Sequence, residues 1–474
     1  MRASLLSSAA AKPQLVSPWY RPEIDVLRFV CFLLVFFHHT AGDIVGYFSG
    51  PTARWGAALQ SASGFGADLF FVLSSFLITS LLLREIKVTG RLEARTFYIR
   101  RALRIWPLYF VALFLIIWLE RLQPSHERLQ PIHVAAMLLF AGNWSLAFWP
   151  VATFATPLWS LSMQEQFYLL WPWVLKKLRI PALVMVCLSA ILVGCLFRGW
   201  ATHAGHTWQL LHFSTFSSLD AFAMGALLAV ALRGDLPRIS SLRRLCLGTV
   251  CAAGLLWICL PGSHATSRTE FEIKFWYPLA ALCCTGLLVS VLGASGAVAG
   301  LIFRSRILTY LGRITYGLYI WHPAAIFLLS QALVPAWLAT TWLRRLHNGQ
   351  LWVALAVELL SFACTFCVAV ISYHGLEKPC MKLKSRLQPQ RKPPLQVRHI
   401  ECAIERPSSV LQEAAGCRDA KAGLRKPRSL DSRALTLALA RDDNPIIRGF
   451  SASVVKNKKG ADFVRALSHE DVRA

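Results

Sequence analysis

The sequence predicts an all-α polytopic membrane protein of about ten transmembrane helices, with both termini cytoplasmic and a basic, disordered C-terminal tail. Three observations predict it. The 474 residues are 55% hydrophobic and 16% charged, against about a quarter charged in a soluble globular domain. Apolar runs of around 20 residues recur along most of the chain, each long enough to cross a ~30 Å hydrocarbon core. Lys and Arg gather in short segments between those runs, on one side throughout, as the positive-inside rule requires.

In chain order the runs fall at roughly 26–47, 66–84, 104–120, 159–176, 181–198, 209–232, 245–262, 275–294, 307–335 and 351–373. A weaker run at 132–148 is broken by "GNWS". Counting it as a span would put "KKLR" (176–179) outside and invert every later loop, so it reads as a re-entrant or surface segment. The segments 84–104, 176–179, 233–244 and 303–306 and the chain from Lys378 then share the cytoplasmic side, whereas "PGSHATSRTEFEIK" (261–274) lies outside. This gives a cytoplasmic segment at 1–20, a membrane domain at 21–380 and a tail at 381–474. The opening stretch is too polar for a signal peptide, so the first span is expected to be retained. The tail is rich in Lys, Arg, Pro and Gln and has no spanning run, the composition of a disordered extension.

The net charge of +25 raises nucleic-acid binding, but the charge follows the membrane loops and no recognition motif accompanies it. The 13 cysteines scatter through apolar segments. Cys364 and Cys367 form a CxxC inside an apolar run with no second pair, which reads as packing. No metal-ligand motif is present, so no metal is expected.

Ionisable groups inside spans are costly and mark candidate sites. The first span carries Arg28, His38 and His39. His39 lies 11 residues beyond Arg28, about 16 Å along a helix, and the two histidines differ in direction by about 100°. Asp68 opens the second span, Glu165 lies at the outer end of the fourth, and His322 sits in "YGLYIWHP" of the ninth. Two histidines and two carboxylates from four spans are therefore expected to converge in the outer half of the membrane. At the cytoplasmic side, Arg101 and Arg104 share a helix face near Arg28, and planar guanidinium groups suit phosphate. A phosphate-binding mouth inside and an acid/base cluster deeper fit a phosphorylated donor that delivers a group across the membrane.

At these residues the chain resembles the integral-membrane acyltransferase family 3, which includes bacterial O-acetylases of surface and secreted carbohydrates. The resemblance covers roughly residues 20–380. An Arg-x10-His motif falls on Arg28 and His39, and Phe-Phe-x-Leu-Ser-Gly-Phe-Leu on "FFVLSSFL" (70–77), with Ser75 where glycine is usual. Arg-x-x-Arg falls on Arg101 and Arg104. "WSLSMQEQFY" (159–168), "YGLYIWHP" (316–323) and "HGLEKP" (374–379) match further motifs, with Gln164 replacing the first glutamate of a pair.

The resemblance implies a multi-pass protein of the bacterial inner membrane that transfers an acyl group, acetyl above all, from cytoplasmic acyl-CoA to a carbohydrate hydroxyl at the outer side. Acyl-CoA is then a co-substrate, with no permanently bound cofactor. Arg28, Arg101 and Arg104 are the candidate CoA-binding residues. His39, Asp68, Glu165 and His322 are the candidate catalytic residues, with Asp68 or Glu165 orienting the imidazole. Ser162, Tyr168, Tyr316 and Tyr319 in the same motifs are the candidate substrate-binding residues. His39 acts either as general base or as acyl carrier; we favour the base. A proton-coupled transporter and a non-catalytic assembly partner are the competing readings. The absence of internal repeats weighs against the first, and Gln164 leaves room for the second.

Overall fold

The computed structural model describes residues 20–122, 129–151, 153–260, 270–338 and 349–387. The described residues form helices and turns, with no strand among them. The helices are α1 (Pro22–Val45), α2 (Gly50–Ser63), α3 (Gly66–Thr89), α4 (Ala94–Leu122), α5 (Pro131–Leu138), α6 (Gly142–Phe148), α7 (Leu158–Lys177), α8 (Ile180–His203), α9 (Trp208–Phe213), α10 (Leu219–Leu232), α11 (Ser241–Cys259), α12 (Glu270–Val291), α13 (Ala297–Phe303), α14 (Arg306–Leu338), α15 (Gly349–Ser372) and α16 (Lys378–Leu387). Proline in the first turn starts α1, α2, α5 and α8, where its missing N–H costs no helical hydrogen bond.

Among the described residues, seven helical segments are long and apolar enough to cross a membrane, and Phe275–Val291 is a shorter apolar one. The helices α7 and α14, with 20 and 33 residues, have the length to cross but carry the polar motif residues. Exposed Met185, Leu188, Leu192 and Leu196 run along one face of α8, a stripe at helical spacing that suits lipid.

The 132–148 region does not form a crossing helix. It folds as α5 and α6, of eight and seven residues, each about 12 Å or less at 1.5 Å per residue. Phe140 breaks the run with φ of 54°, an uncommon conformation for a bulky residue. Its ring is held against Trp106, Tyr109 and Phe110. The asparagine of "GNWS" fastens this corner. Fully buried Asn143 donates to the Phe213 carbonyl and the Thr215 hydroxyl, both at 3.0 Å, and accepts from Gln166 at 2.9 Å. Thr215 in turn donates to Gln166 at 2.6 Å. Every polar group in this buried set has a partner, which specifies one arrangement.

The expected span at 209–232 is not continuous. Ser214 is extended, and its hydroxyl accepts the Phe216 N–H at 3.2 Å, starting a 3-10 turn (Thr215–Ser218) that leads into α10. A serine bonding its own backbone offers the chain an alternative to helix. The cysteine pair also differs from expectation: Cys364 and Cys367 lie on the exposed face of α15 rather than in the core. Past the expected domain limit at 380, helix continues to Leu387. The remainder of the tail lies outside the described residues, as does nearly all of 1–20.

Buried fully, Ser75 donates to the Val72 carbonyl at 3.1 Å. Close helix approach is retained there because α10 presents Gly225, where a Cβ would stand 2.1 Å from the Ser75 hydroxyl oxygen.

Candidate functional site

The site is built on α1 and α14, which pack side by side and run in the same direction. Gly312 permits this: a Cβ there would lie 2.0 Å from the Asp25 carbonyl oxygen. Phe29, Phe32 and Phe36 of α1 then pack with Ile314 and Leu318 of α14. Along both helices the polar residues follow one order. Arg28 and Arg313 stand at one end, Phe32 and Tyr316 come next, and His39 and His322 stand at the other end.

The arginine end encloses a cavity of about 350 Å³ whose wall includes Arg21, Arg28, Arg104, Arg313, Tyr373 and Glu377. Asp25 holds two of the arginines, at 3.3 Å from Arg28 and 4.0 Å from Arg313. Arg313 also donates to the Tyr20 hydroxyl at 3.0 Å. Four guanidinium groups against two carboxylates leave the cavity cationic, and a cationic concavity with planar donors suits phosphate. Arg101 does not line it. Its guanidinium lies 5.0 Å from the centre of the Tyr168 ring and 5.8 Å from that of Phe97, one turn from Arg104 on α4.

Between the two ends lies a void of about 20 Å³ bounded by Phe32, Phe71, Gln164, Tyr316 and Tyr319. That is room for about one water. The path along α1 is constricted here.

At the histidine end, the His39 and His322 rings are 5.4 Å apart between centres. His322 is fully buried, its Nδ1 2.7 Å from the Tyr319 carbonyl. A carbonyl only accepts, so Nδ1 carries the proton and Nε2 is left as an acceptor. That Nε2 has no hydrogen-bond partner among the described residues. Phe32, Phe36 and Tyr319 surround the ring. His38 faces elsewhere: its Nδ1 donates to the Gln60 carbonyl at 2.9 Å, and Gln60 returns a bond to the His38 carbonyl at 3.2 Å. His38 therefore fastens α2, while the exposed His39 ring makes no such bond.

The two carboxylates do not join the histidines: among the described residues no hydrogen bond or ion pair links Asp68 or Glu165 to His39 or His322. Asp68 lies within electrostatic reach of Arg198 and Asp220, a buried pair at 2.8 Å that ties α8 to α10. Glu165 accepts from the Trp106 indole at 3.3 Å and is within reach of Arg101, which places it nearer the arginine end. The reason is local. Asp68 and Glu165 each share a span with motif residues, but Glu165 bonds to Trp106 of α4, and Asp68 lies within electrostatic reach of the pair between α8 and α10.

Of the hydroxyl-bearing candidates, Tyr316 donates to the Ile105 carbonyl at 2.7 Å and Tyr319 to the Pro157 carbonyl at 3.0 Å, with Ser160 2.7 Å from the Tyr319 hydroxyl. These bonds tie α14 to α4 and α7. Ser162 is fully buried and donates back to Leu158 at 3.3 Å. Tyr168 lies under Arg101, with its hydroxyl 3.4 Å from Gln164.

Three further residues belong to this geometry, of which Glu377 lies in the "HGLEKP" motif and the other two were not singled out from sequence. Arg313 carries the arginine cavity across to α14; its one signal was an arginine three residues before Tyr316. Buried Glu377 lies in the cavity wall on a π-helical turn (Tyr373–Glu377), with Oε1 unpartnered among the described residues. Such single-turn bulges are frequent at functional sites. His212 on α9 lies within electrostatic reach of both His38 and His39. No motif marked it.

An arginine-lined cavity, a constriction and a histidine pair strung along one pair of helices define a multi-pass helical membrane protein with the layout of a group-transfer catalyst. The comparison with known families agrees: the chain belongs to the acyltransferase-3 family, whose acyltransferase domain profile matches residues 21–374.

Among curated proteins, the chain is similar to one of Staphylococcus aureus (strain MSSA476) provisionally named an O-acetyltransferase, at 24% identity over 388 residues, 77% of this chain and 58% of that one. It is 26% identical over 385 residues to the peptidoglycan O-acetyltransferase OatA of Listeria monocytogenes (strain EGD-e), 77% of this chain and 56% of that one. A Bacillus subtilis (strain 168) protein provisionally named a peptidoglycan O-acetyltransferase, YrhL, is 27% identical over 387 residues, covering 76% and 55%. The chain thus spans just over half the length of these relatives. No solved structure matches it.

Proposed function

We propose that the protein is an O-acyltransferase of the bacterial cytoplasmic membrane, which moves an acetyl group from cytoplasmic acetyl-CoA to a carbohydrate hydroxyl on the outer side. The observation that carries this reading is the order of features along α1 and α14. The arginine cavity suits the phosphates of CoA, and His39 stands about 16 Å from Arg28 along the helix, within reach of an extended pantetheine arm. The names of the relatives support acetyl as the group and glycan as the acceptor class.

In this reading Arg28, Arg104 and Arg313 hold the donor phosphates, and Arg101 supports Arg104 from the next turn. The side chains of Phe32, Gln164 and Tyr316 part to admit the thioester arm. The Nε2 of His322, fixed as an acceptor by the bond from Nδ1 to the Tyr319 carbonyl, can take a hydrogen bond from His39 and set its tautomer. This is the orienting role that a carboxylate plays elsewhere. His39 then takes the proton of the acceptor hydroxyl as its oxygen attacks the acetyl carbonyl. The C–S bond breaks, and the CoA thiolate recovers the proton from the imidazolium.

The test is release of free CoA thiol by the full chain, purified in detergent, with acetyl-CoA and a glycan acceptor. Acceptor-dependent thiol release and an acetylated saccharide in the mass spectrum are expected. Neither product, from protein that binds acetyl-CoA, would overturn the proposal.

A further inference from the structure

The histidine end continues into a surface that the reaction above does not use. Helix α9 is six residues long and carries Trp208 and His212 one turn apart. The His212 ring stands 4.8 Å from Trp159 of α7 and 5.6 Å from Trp208 between centres. Trp159 is packed edge-on to Phe71 at 5.9 Å, so the three rings form a row anchored at the core and open outward. Trp208 is 50% exposed and the His212 ring is exposed as well. The row is held from behind: Leu210, Leu211 and Phe213 are buried, and the Phe213 carbonyl accepts from Asn143.

Two readings compete for an exposed tryptophan at the start of this short helix. Interfacial anchoring accounts for a lone Trp. It does not account for a histidine lodged between two tryptophans, one of which, Trp159, precedes Ser160, whose hydroxyl is 2.7 Å from that of Tyr319. Tyr319 packs against His322 and His322 against His39, so the row lies on the side of the bundle that holds the histidine pair, and His212 is within electrostatic reach of His39. Neither the Trp208 indole N–H nor either ring nitrogen of His212 bonds to another described residue. The surface therefore offers flat apolar faces with unpaired donors and acceptors at their edges. A pyranose ring has the complementary form, with C–H groups on its faces and hydroxyls at its rim.

We infer that Trp208, His212 and Trp159 form the acceptor subsite, stacking one sugar ring so that a neighbouring hydroxyl meets His39. The inference rests on the acyl-transfer reading above and adds where the acceptor sits and what recognises it.

Its test uses the full chain in detergent, with acetyl-CoA as donor and chitotriose, a β-1,4-linked N-acetylhexosamine trisaccharide, as acceptor. Loss of one aromatic stacking face is expected to raise the KM for chitotriose about ten-fold in both Trp208→Leu and His212→Ala. The kcat at saturating acceptor and the KM for acetyl-CoA should change little. Trp208→Phe, which keeps a ring face, should restore most of the affinity; a purely structural role would not produce that split.

Quenching of tryptophan fluorescence by chitotriose, measured without donor, separates this inference from the functional one. Saccharide binding lost in His212→Ala, in protein that transfers no acetyl group, would sink the transferase reading and leave the subsite standing. Transfer with an unchanged chitotriose KM in both variants would overturn the subsite, and a lowered thermal stability in Trp208→Leu alone would then mark an anchor.

Discussion

Gly312→Ala tests whether one backbone contact sets the whole site. A Cβ at residue 312 would lie 2.0 Å from the Asp25 carbonyl oxygen, and ordinary contact begins near 3.4 Å. The obstructing atom is backbone, so no side chain can swing aside, and α1 and α14 must separate by about 1.4 Å. Overpacking of this kind typically costs about 1–3 kcal/mol. The separation falls between helices that share both ends of the site. It loosens the Asp25–Arg313 contact and moves His39 away from His322 by a similar distance. Misplacement of reacting groups by 1 Å can cost about 100-fold in rate. The expected result is a lower melting temperature in detergent, a higher KM for acetyl-CoA and a kcat reduced about 100-fold. Gly300→Ala on α13, where an added Cβ meets nothing within 4 Å, serves as the control and should leave all three unchanged. Wild-type kcat and melting temperature in Gly312→Ala would refute the claim that this crossing aligns the site.

Three further outcomes are expected. His39→Ala should lower transfer by about 10²- to 10⁴-fold, the usual loss of a general base, while His38→Ala, which loses a bond to α2, should cost much less; single-turnover CoA release compares them, and the reverse ranking would remove His39 from the chemistry. Arg104→Lys keeps the charge but not the planar fork, so the KM for acetyl-CoA should rise several-fold with kcat held; an unchanged KM would leave Arg104 a membrane anchor. Asn143→Ala leaves Gln166 and Thr215 short of a partner in a buried network, at a cost of about 1–3 kcal/mol, read as a lower melting temperature; a neutral result would show that the α5–α6 corner is held by its aromatic packing alone.

Local features of the chain were legible without the fold. Hydropathy located the apolar helices, and "GNWS" together with the charge of "KKLR" marked 132–148 as non-crossing, because helix length and burial of single residues depend on neighbours in sequence. The separation of Arg28 from His39 was legible for the same reason, being a helical rise within one element. What faces His39 was not. Asp68, Glu165 and His322 each sit in a motif at plausible depth, and nothing in their spacing says which of them turns toward α1.

Tertiary structure decided that through backbone contacts between residues far apart in the chain: Gly312 against Asp25 sets the register of α14 on α1 and so brings His322 to His39, while Glu165 turns to the Trp106 indole and Asp68 lies within electrostatic reach of the Arg198–Asp220 pair. It also placed Arg313 and His212, whose segments carry ordinary sequence and acquire a role only from what packs against them, and it set Glu377 of the "HGLEKP" motif in the wall of the arginine cavity. Periodicity reports which residues share a face of one helix. Which face meets which is decided where small residues let two backbones touch, and that information is spread over residues nearly 300 positions apart.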